Sequence, residues 1–138
     1  MLSASAARAY ANVGLETGVT AASPHRLIVM LYDGAIEAVA DARKHIANGA
    51  QGAKGAAVSR AVGIIEQGLR ASLDTAKGAD IASQLDALYD YMARRLTLAS
   101  LRDDAGAMAE VGKLLADLRS AWQTIAARET TTKALHAA

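Results

Sequence analysis

The chain has 138 residues, enough for one domain with a hydrophobic core and too few for two. Apolar residues make up 52% of it but aromatics only 4%, with no phenylalanine, so its core is drawn from Ala, Leu, Ile and Val, which suits closely packed helices. A net charge of +1 gives no long-range pull on nucleic acid or acidic membranes, and the absence of cysteine removes disulfides, thiolate metal sites and a cysteine nucleophile.

In chain order, residues 1–22 come first as an N-terminal arm. They are small and polar, carry no sustained apolar stripe, and lack the compact apolar core of a secretory signal. Ser23 and Pro24 make an N-cap and first-turn pair that opens a helix predicted over 24–48. In it Ile28, Tyr32, Ala35, Val39, Ala42 and Ile46 recur every three or four residues. "NGAQGAKGAA" (Asn48 to Ala57), with three glycines beside Lys54, reads as a flexible turn. A second helix over 56–77 carries Val58, Val62, Ile65, Leu69 and Leu73. After "AKGAD" a third, over 80–101, carries Ile81, Leu85, Leu88, Met92, Leu96 and Ala99. After "RDDAG" a fourth, over 105–127, carries Met108, Val111, Leu115, Leu118, Trp122 and Ile125. The threonine run in "RETTTKALHAA" marks residues 128–138 as a loose tail.

Each periodic segment spans roughly 30–38 Å at about 1.5 Å per residue. Four matched helices with short turns predict an all-α fold. It is an antiparallel up-down-up-down four-helix bundle over residues 23–127, preceded by an arm that has room for a short extra helix. The longest strongly apolar run, "LIVMLY", ends at Asp33, far short of the roughly 18–20 residues of a membrane span, so a soluble, cytosolic protein is expected.

Enzyme signals are quickly exhausted. No glutamate has a histidine three residues on, and His25, His45 and His136 form no pair at ligand spacing. Gly49, Gly52 and Gly55 follow no strand and precede no Gly-Lys-Ser/Thr, so they are not a phosphate loop. No cofactor, metal or catalytic group is expected. The acids Asp33, Glu37 and Asp41 form a ridge along the first helix. It is either a solvated face balanced by Arg43 and Lys44, or a source of pairing, with Asp33 reaching Arg94 or Arg95 and Asp90 supporting Arg94 four residues on.

Apolar residues beyond the core stripes are more informative. Leu27, Met30, Leu31 and Ile36 on the first helix, Ile64 on the second, Leu98 and Leu101 on the third and Leu114 on the fourth exceed the three positions in seven or so that one bundle core needs. They imply either broad internal packing or a groove for a partner helix. Gly34, Gly63, Gly68 and Gly112, each costing about 1 kcal/mol relative to alanine inside a helix, can admit a close neighbour.

"TAASPHRLIVMLYDGAIEAV", "SLD" (Ser72 to Asp74), "LYDYMARRLTLAS" and "AW" (Ala121, Trp122) occur in that order, and the N-terminal arm "RAYANVGLETGV" holds a tyrosine. From about Tyr10 to Ile125 the chain resembles the FliS family, the flagellar secretion chaperones of flagellin. The resemblance implies a non-catalytic helical bundle that binds the C-terminal segment of flagellin, helical when bound and disordered when free. It implies that premature polymerisation is blocked and the subunit kept available to the flagellar type III export apparatus. Partner contacts are then expected among Leu27, Met30, Leu31, Ile36, Ile64, Leu98 and Leu114. Tyr10, with Val13 and Leu15, is expected to anchor a displaceable cap over an otherwise open groove. A helical adaptor with a different client would share every physical feature, and only the ordered motifs argue against it.

Overall fold

A computed structural model of the chain describes residues 24–73 and 79–137, so Tyr10 and the rest of the arm lie outside the described residues. Helix α1 spans Pro24–Ala47. Helix α2, Gln51–Gly63, passes without a break into a π-helical segment, Ile64–Arg70. Helices α3, Ala79–Arg102, and α4, Ala105–Ala137, complete an all-α bundle with no strand among the described residues. Each helix packs on its neighbours in a ring, α1 on α2 and α4, and α3 on α2 and α4, which leaves α1 and α3 diagonally opposed.

The tight turns are built alike. After α1 the Ala50 amide returns to the His45 carbonyl and the Gly49 amide to Ile46, with Gly49 at φ 66°. After α3 the Asp104 amide returns to Ala99 and the Asp103 amide to Ser100, with Asp103 at φ 51°. Both satisfy carbonyls that a helix end leaves open by placing one residue in the left-handed region. Asp104 then serves as N-cap of α4, its carboxylate accepting the Ala107 amide at 3.0 Å.

The stripes form the core where helices face one another: Ile28, Tyr32, Ala35 and Val39 from α1, Val58, Ile65 and Leu69, Met92 and Leu96, and Met108, Val111 and Leu115 are all buried. Gly112 brings α4 close to α1, since a methyl group there would sit 3.6 Å from the Val39 side chain. Two stripes run on past the core. Ile81 is 67% exposed in the first turn of α3, and Ile125 is 43% exposed on α4 beyond Trp122, the last α4 residue among those packed against the core.

Three boundaries also differ. α2 starts at Gln51 rather than near 56, because "QGAKGAA" is alanine-rich enough to absorb its glycines in a first turn. The α-helical hydrogen bonding of α2 gives way at Ile64. α4 continues to Ala137 through the threonines, whose propensity penalty of a few tenths of a kcal/mol each is too small to stop a helix already nucleated.

At the centre, the hydroxyls of Tyr32 on α1 and Tyr89 on α3 hydrogen-bond each other across the diagonal, with ring centroids 6.5 Å apart. Burial pushes the Tyr32 phenol up to about 12, against the smaller opposing effects of hydrogen bonds from Tyr89 and Trp122. Burial, then the neighbouring Tyr32, pushes Tyr89 up as well. Both folded values lie above the unfolded value of about 10, so this stabilisation is complete below pH ~10 and is lost as pH rises through the folded values. In an alkaline titration followed by phenolate absorbance, Tyr32 and Tyr89 should ionise only together with loss of helicity. Ionisation of all tyrosines near pH 10 with the helix signal intact would contradict this packing.

Candidate client-binding groove

The surplus apolar residues divide into three groups. Leu27, Leu31 and Ile64 are 2% exposed or less and belong to the core. Met30, Ile36 and Leu114 are half-buried and pack against that core. Leu98 stands out from α3 at 50% exposure, and Leu101, one turn on, reaches 78%. Broad packing thus accounts for most of the surplus, and the open part is concentrated on the C-terminal half of α3.

Beside it runs a groove of about 540 Å³ between α2 and α3. Val58 and Val62 give its apolar lining from α2, and Thr97, Ser100 and Leu101 form the α3 side. Gly55, Ser59 and Gly63, spaced four apart, form the α2 edge, and a methyl group on either glycine would meet nothing within 4 Å. Glu66 and Gln67 of the π-helical segment close the far end. These small residues leave a helix backbone bare beside an exposed leucine, a shape that admits an apolar helix face.

Each end of the groove is cross-linked. At one end the buried Lys54 on α2 donates to the Ser100 carbonyl at 2.7 Å, to Asp103 at 2.6 Å and to Gln51 at 2.5 Å. Its ammonium therefore sits on the C-terminal carbonyls of α3, where positive charge is favoured, and its bonding lowers the Asp103 carboxyl below the usual range. At the other end Arg70 grips Asp86 on α3 through two hydrogen bonds at 2.6 and 3.2 Å. It also pairs with Asp90 at 3.3 Å and Glu66 at 3.0 Å. The Arg70 hydrogen bond holds the Asp86 carboxyl below its ordinary value.

Charge pairing departs from expectation at one point. Asp33 pairs with Arg119 of α4 rather than with Arg94 or Arg95, because α1 adjoins α4 and lies diagonal to α3. Arg95 instead meets Glu110 at 2.9 Å, joined by the Tyr91 hydroxyl at 2.6 Å, and these two hydrogen bonds lower the Glu110 carboxyl, the tyrosine's most. Asp90 does support Arg94, at 2.8 Å. Glu37 is exposed, as a solvated ridge requires.

The Lys54 cross-link and Gly55 are not what the sequence suggests, since both fall in a stretch that reads as a turn, whereas Ser59 and Gly63 lie within the expected helix. The Gly55, Ser59, Gly63 spacing is the signal that could have found the edge. Among the described residues no group of three or more His, Asp or Glu could hold a metal ion, and no helix is long and apolar enough to cross a membrane.

Fold and groove together define a helical bundle with an open groove along its α2–α3 edge. Its sequence matches the family described as "Flagellar protein FliS" over residues 6–129, and the chain belongs to that family of flagellar chaperones. It is 50% identical to the flagellar secretion chaperone FliS of Salmonella typhimurium, over 91% of this chain and 93% of that protein. Against the flagellar secretion chaperone FliS of Escherichia coli K12 the identity is 41%, over 89% and 90% of the two chains. The flagellar secretion chaperone FliSB of Pseudomonas aeruginosa is 38% identical over 91% of this chain and 98% of its own length.

Proposed function

We propose that this chain is a cytosolic export chaperone. It binds the C-terminal segment of flagellin, prevents premature polymerisation and keeps the subunit available to the flagellar type III export apparatus. The observation that carries the reading is the α2–α3 groove, cross-linked at both ends and lined by Val58, Val62 and a leucine 78% exposed among small and polar residues, in a chain of the flagellar chaperone family. A disordered segment that folds into this groove exchanges the exposed surface of Leu101, and the edge of half-buried Val62, for buried surface. Its ordering cost keeps the complex weaker than the contact area alone implies, which suits a client that has to be released. No step of this action calls for a cofactor.

Leu101 is the first contact in this reading and Leu98 the second, with Met30, Ile36 and Leu114 as secondary positions where half-buried side chains leave an edge exposed. Leu27, Leu31 and Ile64 act indirectly, by holding the helices that form the groove. The N-terminal arm with Tyr10 remains the proposed cap of the free protein.

The test is filament growth from purified flagellin. Equimolar chaperone should suppress it, and binding should disappear when the C-terminal helical segment of flagellin is deleted. Equal binding of full-length and truncated flagellin would contradict the reading.

A further inference from the structure

The π-helical segment Ile64–Arg70 invites a physical explanation that core packing does not supply. π-Helix is rare, occurs mostly as short interruptions of α-helix, and closes each backbone hydrogen bond over one more residue than the neighbouring α-helix does. Such a conformation persists only where its surroundings enforce it. Here the core side is filled by Ile64, Ile65, Gly68 and Leu69, all buried. The excess is carried on the outer side, where Gln67 is exposed and, with Glu66, lines the end of the groove. The last residue of the segment is Arg70, which is bonded to Asp86 and Asp90 on α3, beyond the end of the groove lining.

Register and clamp are therefore coupled. Conversion of the segment to α-helix would rotate the residues at its C-terminal end by roughly 100°, the angle of one residue. Arg70 would then swing off Asp86 and Asp90. We propose that the π-helical segment is a latch for the groove: its extra residue holds the groove end open, and the Arg70 clamp holds the segment in π register. This rests on the groove being the flagellin site. It adds that groove shape is set by a two-register element whose equilibrium the clamp biases.

Two variants test the latch. Deleting Gln67 removes the excess residue while leaving the buried residues on either side in register. The deletion variant should keep its helicity and a cooperative thermal transition. It should bind a synthetic peptide of the flagellin C-terminal segment at least about tenfold more weakly in calorimetry. Wild-type affinity would overturn the proposal. Arg70→Gln keeps the chain length and removes the charge clamp. Amide exchange across residues 64–70 should accelerate at least about tenfold relative to residues 51–63, with weaker peptide binding. Unchanged exchange there would overturn the proposal, and if the deletion variant fails to fold, this variant decides. Leu101→Asp in the same titration separates the two readings. Binding that survives Leu101→Asp overturns the groove as the site and the latch with it. Binding lost in Leu101→Asp but intact without Gln67 overturns the latch alone.

Discussion

Replacing Leu101 with aspartate is expected to weaken capture of the flagellin C-terminal segment by roughly 10- to 100-fold, or about 1.4–2.8 kcal/mol. The side chain is 78% exposed on the groove wall, so the free protein loses almost no internal contact when it changes. In the proposed complex the same position would be covered by an apolar helix face, and a carboxylate buried there would be left unpaired. Desolvation of a charge without a partner is costly, and a large loss of binding is expected for that reason. The thermal transition should move little, because exposed positions away from special contacts rarely change stability by more than about 0.5 kcal/mol. Isothermal titration with the peptide and a melting curve on the same sample check both halves. Loss of binding together with loss of the fold would remove the distinction between groove wall and core.

Leu31→Ala should act in the opposite way. Leu31 is fully buried on α1 beside its stripe, and the variant is expected to cost about 2–5 kcal/mol of stability through lost burial and the cavity left behind. That is a large share of what a domain of this size has available. Binding should fall only in proportion to the unfolded fraction, and recover when the protein is refolded at lower temperature or denaturant. A Leu31→Ala protein that melts like the parent yet fails to bind would make Leu31 a direct contact and place it outside the core. Chemical denaturation, with the midpoint and slope read separately, measures the first quantity.

Features of this fold are legible in the sequence where a physical signal repeats. The four helices are legible because burial against two neighbours imposes a period near 3.6 on Ile28 to Val39, Met92 to Ala99 and Met108 to Leu115. Stripe ends are less legible, since Ile81 and Ile125 continue a pattern past the surface that justifies it. Lys54 is illegible as a buried residue. A lysine among glycines reads as a turn, and only its acceptors on Ser100 and Asp103, nearly fifty residues away, explain its burial. The Asp33–Arg119 pair escapes for a related reason: choosing among distant arginines requires knowing that α4, and not α3, lies beside α1. The π-helical segment hides behind doubled positions, Ile64 with Ile65 and Gly68 with Leu69, either member of which satisfies a spacing of three or four. Family membership is legible from ordered motifs, whereas the groove is not, because its edge is made of residues with almost no side chain.

The most direct measurement is methyl NMR of the full chain, labelled at valine and leucine, titrated with the flagellin C-terminal peptide. Occupation of the α2–α3 groove predicts that Val58, Val62 and Leu101 shift together and saturate at one equivalent, with smaller changes at core methyls such as Leu31 and Leu115. Saturable binding that leaves Val58, Val62 and Leu101 unmoved while methyls on the α1–α4 side shift would contradict the account.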